Sequence, residues 1–515
     1  MPRLLFGSSR SLPGLIAGLL CTAGPVLAAG AADDTAITIY SSEQPGAISP
    51  ELYRPVPGSA PGRMNIPGYA LVRQERDVQI DSGRSTLKFA DVAALIDPTT
   101  VTFSSLSEPR TRVLEQSYQF DLVSTDKLLL KYIDRPIVVE REAGGHSETI
   151  SGTLLSSVDG LVLRTSDGTI QALRTYSSVR FPALPGGLDT RPTLVWDVSS
   201  PRAGDQRSRV TYQTSGVTWW ADYNLIFAEG QDANTGTLDL SAWVSIINQS
   251  GASYRDARLK LIAGDVHRVA PPMRAAAAKY AMQAVVTETG APPPFSEQPF
   301  FEFHMYRLQG RTTLPDNSTK QIELFDQARQ IPARKVLMYV GDTPSYYYYA
   351  GPLTDRNLGV QSNRKVDVYL TFRNDRQHGL GIPLPAGRVR VSKLDGADGS
   401  LEFIGEDRID HTPRDEEVRI KLGSAFDVVG ERRQTDFAVD THGRWMEEQI
   451  EIKLRNHKEQ PVRVLVKEGL YRWNNWKILT QTHDFQKEDA HTIVFPVDVP
   501  KDGETVVNYR VRYTW

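Results

Sequence analysis

The sequence predicts a mainly β protein: several antiparallel β-sandwich domains of immunoglobulin-like type, one inserted small SH3-like barrel, and very little helix. Three observations carry this. Apolar residues alternate with polar ones over short runs, most strictly at Leu238, Leu240, Ala242, Val244 and Ile246, the period of a strand with one buried face. Asp-Gly, Gly-Gly and Pro-containing turns punctuate the runs at short intervals. Only 121–133 has clear helical spacing.

Taken in order, residues 1–28 are expected to be a signal peptide. Arg3 and Arg10 give a basic start, 12–20 an apolar run, and Val26-Leu27-Ala28 a small-residue end. The run is too short and too interrupted by Gly and Pro to span a bilayer. Leu20 directly before Cys21 does not suit a lipidation site, so cleavage is expected near Ala28. Cleavage there removes two Arg and Cys21, the only cysteine. The exported chain then has no disulfide, no Cys nucleophile and no Cys-based zinc site, and stands on apolar cores.

Residues 33–125 read as an N-terminal β domain, with strands near 36–40, 69–73, 77–80, 86–89 and 101–106 and a Pro/Gly/Ser-rich loop over 41–67. In 121–133, Ser124 or Thr125 caps a short helix with Leu128, Leu129 and Ile133 on one face, expected to bridge two β domains. Residues 126–185 hold the barrel insert: strands at 137–141, 148–156, 161–165, 169–173 and 178–181, joined by turns that include Gly144-Gly145, Asp159-Gly160 and Asp167-Gly168. Beyond the Pro/Gly linker at 182–192, residues 190–268 read as a β-sandwich. Residues 269–299 read as a flexible Ala/Pro-rich linker, 300–437 as a β domain, and 438–515 as a C-terminal Ig-like β-sandwich. Within 300–437, strands are expected at 320–325 and 335–340 as separate elements.

The densest stretch is 376–437. Gly379, Gly381, Pro383 and Pro385 make a stiff corner. A strand at 388–394 turns through Asp395-Gly396 and Asp398-Gly399 into a second at 401–404; 418–422 alternates again, and Gly423 breaks it before a short apolar run at 426–429. Between the strands lies a polar loop, 406–417. Its Glu406, Asp407, Asp410 and His411 are types that bind divalent cations or move protons. Interleaved Arg408 and Arg414, and the lack of a recognised ligand spacing, oppose a metal, and a solvated turn is the plainer reading.

These motifs carry a resemblance. Gly-Ile-Pro-Leu-Pro-Ala-Gly at 381–387, Phe-Ile-Gly-Glu-Asp at 403–407, Asp-His-Thr-Pro at 410–413 and Phe-Asp-Val-Val at 426–429 are similar to a bacterial envelope family of unknown function. Its C-terminal domain also occurs in mucoidy-inhibitor-A-like proteins. The likeness continues in GVTWWADY at 216–223, INQSG at 247–251, LIAGDVHR at 261–268 and the final YRVRYTW. It covers roughly 190–515 well and 35–125 loosely, and it carries no catalytic residues over. Mucoidy-inhibitor-like members place a long coiled coil between the halves; this chain has a β-rich insert there.

Other chemistry is sparse. Trp219 and Trp220, or Trp473 and Trp476, are candidate sugar-stacking rings, with burial in a sandwich as the plainer reading of the first pair. Asp265 and His267 resemble a fragment of a metal site, with a turn as the plainer reading, and the four tyrosines at 346–349 could form a binding surface, with a split between two faces of a strand as the plainer one. Fifty-nine basic against 62 acidic side chains leave no field for nucleic acid. The nine His are scattered singly, and no nucleophile elbow, P-loop, dinucleotide fingerprint or His-Glu-x-x-His is present. The sequence thus points to a non-enzymatic, β-rich envelope protein, periplasmic or secreted, a scaffold or binding module for an envelope protein or glycan. No cofactor, metal, nucleic acid or transmembrane segment in the mature chain is expected. The alternatives are a carbohydrate-binding or carbohydrate-active protein, and a hydrolase using 406–417.

Overall fold

A computed structural model of the protein describes residues 33–41, 66–119, 123–143, 146–186, 188, 190–230, 232, 234–264, 266, 295–341, 351–358, 362–395 and 397–515. Residues 1–28, expected to be a signal peptide, with Cys21 and Ala28, most of the 41–67 stretch, Gly144-Gly145, Asp265, His267, residues 269–294, the tyrosines at 346–349 and Gly396 lie outside them. The chain is mainly β, in several multi-stranded sheets, with one α-helix among the described residues.

Strands β1 (Asp34–Tyr40), β2 (Tyr69–Ile80), β3 (Gly83–Ala90), β4 (Ile96–Ser105) and β5 (Arg112–Gln119) open the chain. A compact insert follows: α1 (Thr125–Lys131), then β6 (Pro136–Ala143), β7 (His146–Ser156), β8 (Leu161–Thr165), β9 (Ile170–Leu173) and β10 (Ser178–Arg180). These five strands form their own sheet in the order β10-β6-β7-β8-β9. Ser124 caps α1, accepting the Lys127 amide. The helix does more than bridge: its Leu129, with Tyr132 just beyond, packs into the insert's own core with Ile137, Val139, Leu154 and Leu163.

Next come β11 (Thr193–Ser200), β12 (Gly204–Ser215), β13 (Val217–Glu229), β14 (Thr235–Asn248) and β15 (Tyr254–Ala263). Then follow β16 (Phe295–Phe300), β17 (Phe303–Leu314), β18 (Ser318–Tyr339) and β19 (Lys365–Arg373). The segments set apart in the sequence as 33–125 and 190–268 are interleaved. One sheet runs β16-β17-β15-β1-β2-β12-β4, and a smaller one runs β3-β11-β5. β1 lies parallel to β15, with Ala36 opposite Arg258. The two sheets close on Trp196, fully buried, whose ring centroid lies 5.6 Å from Phe89 and 5.1 Å from Phe103. Residues 295–299, read as linker, are strand β16 against β17. Pairing satisfied their backbone where composition alone suggested none.

The last elements are β20 (Gly387–Leu394), β21 (Leu401–Ile409), β22 (Glu417–Asp440), β23 (Trp445–Asn456), β24 (Val462–Gly469), β25 (Trp476–Gln481), β26 (Gln486–Lys487), β27 (Thr492–Val499) and β28 (Gly503–Thr514). A thirteen-stranded sheet has the path β21-β20-β13-β14-β18-β19-β22-β23-β28-β25, with β24, β26 and β27 branching from it. Three of its strands serve two cores. β18, β19 and β22 place Phe325, Leu370 and Ile420 in the first core, and Leu337, Val366 and Val428 in the second.

That sharing corrects two readings. β18 is one 22-residue strand, not two short ones; register shifts against β14 and a left-handed Gln330 absorb the irregularity. β22 is one 24-residue strand that does not stop at Gly423. Gly423 takes φ +144° opposite a register shift, so it permits a bulge rather than ending the strand. Phe426, within the apolar run, is 94% exposed. The near end of the sheet also curls back: Gly405 on β21 lies so close to β22 that a Cβ there would stand 2.7 Å from the Leu422 backbone.

Candidate functional site

The polar loop of the sequence is largely strand. Glu406 and Asp407 sit on β21, which runs to Ile409, and only 410–416 separate it from β22. Pairing with β20 extends the strand: Gly405 and Ile409 are buried, Asp407 between them is half-buried, and Glu406 and Arg408 face out. Asp407 accepts two main-chain amides, Arg408 N–H at 2.8 Å and Lys421 N–H at 2.6 Å, and so fastens β21 to β22. Asp410 is exposed. His411 accepts the Ala386 amide through Nδ1 at 3.0 Å. These groups make separate contacts rather than converging. Among the described residues no group of three or more His, Cys, Asp or Glu is placed to hold a metal ion.

The motifs at 381–387 and 410–413 instead tie one end of the first core together. Leu384 and Thr412 exchange main-chain hydrogen bonds at 2.8 and 2.9 Å. Buried Asn374 donates to the carbonyls of Ile382 (2.7 Å) and Pro413 (2.9 Å), and accepts the Gly381 amide. The Tyr223 hydroxyl donates to Pro385 O at 2.7 Å, and that of Tyr306 to Pro383 O at 2.8 Å. Burial pushes both hydroxyls well above their ordinary pKa, so they remain donors. Pro carbonyls lack a ladder partner here, and the tyrosines supply it.

A second network runs across five strands. Asp222 is 4% exposed; its Oδ2 accepts Trp220 Nε1–H (2.8 Å) and the Ser245 hydroxyl (2.6 Å). Its Oδ1 accepts Arg388 Nη2–H at 3.1 Å. Gln321 donates to Ser245 at 3.0 Å, and Arg390 donates to Glu406 at 3.1 Å. Two predicted site residues, Trp220 and Glu406, therefore meet through Asp222 and two arginines. Neither tryptophan offers a stacking face. Trp219 is 2% exposed, edge-on to Tyr306 with centroids 6.3 Å apart, and Trp220 is 5% exposed against Ile66 and Ile247. Strand alternation on a sheet covered on both sides buries both neighbours.

The second core contains buried ion pairs. Arg432 meets Glu468 at 2.9 Å, and the Tyr509 hydroxyl donates to the same carboxylate at 2.6 Å. Burial opposes the Arg432 charge, but Glu468 beside it holds its pKa well above the ordinary value. Arg472 Nε donates to Glu448 at 2.8 Å, Nη1 to the carbonyls of Leu353 and Asp355, and Nη2 to Leu358 O. One guanidinium thus fastens the 351–358 segment to the sandwich.

On the outside of this core is an open groove of about 560 Å³ beside β25. Trp476 lies in it half-buried, its Nε1–H held by Ala490 O at 2.9 Å. Lys487 Nζ sits 5.0 Å from the ring centroid. Asn474, Asn475, Lys477 and Phe485 complete much of the wall. Of the sequence-predicted rings, Trp476 is the one at a concave surface, while Trp473 packs partly buried against the second core. The groove's lysines and amides went unread in the sequence, although they lie within one stretch: Asn474, Asn475 and Lys477 flank Trp476, and Lys487 comes from β26.

Compared with known proteins, no protein family, no curated protein and no solved structure matches this chain. Among the described residues no helix is long and apolar enough to cross a membrane.

Proposed function

We propose that the protein is an exported, non-enzymatic component of the bacterial cell envelope, working as a scaffold and binding module for a protein or cell-surface partner. The observation that supports this is mechanical. β18, β19 and β22 each run from one core into the other, so surfaces on the two cores are held in register by continuous backbone rather than by a linker. The basic, apolar and small-residue order of 1–28 supports export, and the resemblance of 190–515 to an envelope family supports the compartment. The test is in-cell crosslinking of the tagged mature protein, with mass spectrometry of captured species and fractionation of the cells. One or two recurrent envelope partners are expected. A protein retained in the cytoplasm, or captured with nothing, overturns the reading.

A second reading, carbohydrate binding, is favoured by one observation: Trp476 presents an anchored indole in an open groove lined with carboxamides.

A further inference from the structure

We propose that the groove beside Trp476 binds an acidic saccharide, with a chain of uronic acids as the class that fits. This rests on the carbohydrate-binding reading of the same groove and specifies its ligand. The Trp476 ring is fixed in orientation by its bond to Ala490 O, so it is a ready platform for the C–H face of a pyranose. Around it, the Asn474 side chain carries both donors and an acceptor, which sugar hydroxyls require, while Asn475 Nδ2 already donates to Thr514 Oγ1 at 2.6 Å and adds its amide oxygen.

Charge selects among sugars. The lining includes Lys477 and Lys487 and no carboxylate. Among the described residues neither lysine has an ion-pair partner; the adjacent Glu488 is engaged by Lys467 at 2.7 Å. Two ammonium groups without a counter-charge select an anion on the ligand. The formal charge of the whole chain is −3, so no general field draws in polyanions such as nucleic acid, and the preference is local to the groove. Lys487 Nζ lies over one face of the indole, 5.0 Å from its centroid. A sugar ring replaces it there, and the freed ammonium swings onto the carboxylate.

The experiment is calorimetric titration of the full mature chain with trigalacturonic acid and with maltotriose, its neutral counterpart. At low salt the uronate is expected to bind at least about ten-fold more tightly, an advantage that shrinks as salt rises. Lys487→Met, at an exposed position, is expected to cost about five-fold for the uronate alone. Trp476→Ala removes binding of both. Trp476→Phe, which keeps the apolar contact with the sandwich, weakens both equally. Equal affinity for the two sugars overturns the acidic ligand and leaves carbohydrate binding standing. No heat with either sugar overturns both. Uronate binding unchanged in Trp476→Phe and Lys487→Met places the ligand elsewhere and also overturns the proposal.

Discussion

The two cores joined by β18, β19 and β22 differ in what they bury. The first is filled by apolar and aromatic side chains such as Trp196, Trp219, Leu240 and Leu261, and its polar networks use amides, hydroxyls and the Asp222 row, in which Asp222 is buried but its partner Arg388 is partly exposed. The second encloses two Arg–carboxylate pairs, Arg432–Glu468 and Arg472–Glu448, each backed by a tyrosine hydroxyl. A buried pair returns little net stability over an apolar filling, but losing one partner strands a charge. The difference teaches that the first core is built for cohesion, whereas the second spends polar groups to fix one arrangement, including the hold on 351–358.

The comparison breaks first at Arg472. Arg472→Met is expected to destabilise the protein by about 3–5 kcal/mol, because Glu448 and three carbonyls lose their partner together. That equals the cost of Trp196→Ala in the first core, about 3–5 kcal/mol from the cavity. The two part company on rescue: adding Glu448→Leu to Arg472→Met restores the part of the loss that comes from the stranded Glu448 charge, measured by urea unfolding, while no second change refills Trp196. A single Arg472→Met as mild as a surface substitution would show that the second core does not depend on its pairs. Next in size is Asp222→Ala, expected to cost about 2–3 kcal/mol by removing the acceptor of Trp220 Nε1–H and of the Ser245 hydroxyl and the nearer carboxylate partner of Arg388. It leaves sugar binding at Trp476 unchanged, which separates the network from the groove.

The smallest effect sharpens the contrast at the first core's rim. Asp34 on β1 meets Arg258 and Arg311. Partial burial raises its carboxyl pKa, but the hydrogen bond from Arg311 and the charges of both arginines outweigh this and hold it below the ordinary value. Its contribution is therefore complete above the usual carboxylate range and lost as pH falls through the lowered pKa. Thermal melts of wild type and Asp34→Asn are expected to differ at neutral pH, the difference starting to shrink near the ordinary carboxylate pKa of about 4 and vanishing only below the lowered folded-state pKa. A difference that grows in acid would refute the sign.

Much of the strand content was legible. The insert's strands at 137–141, 148–156 and 161–165 fall within β6, β7 and β8, because alternation and Asp-Gly turns are local. The long strands were not, since Gly423 and the stretch around Gln330 read as stops when only neighbours along the chain are considered. The site was less legible still. Glu406, Asp407, Asp410 and His411 stood together in the sequence but turn to Arg390, Lys421, solvent and Ala386 respectively. Period two sends successive side chains to opposite faces.

What the sequence determined by itself is the β class, the position of most strands and turns, and the Ser124 cap, all set by contacts a few residues apart. What only the tertiary structure decided is which strands share a sheet, which tryptophans are covered, and how Lys487 on β26 comes to lie beside the Trp476 ring on β25. β1 finds β15 more than two hundred residues away, with Thr38 opposite Lys260. Such pairings depend on which faces remain to be buried once the local elements exist, and no short-range pattern encodes that choice.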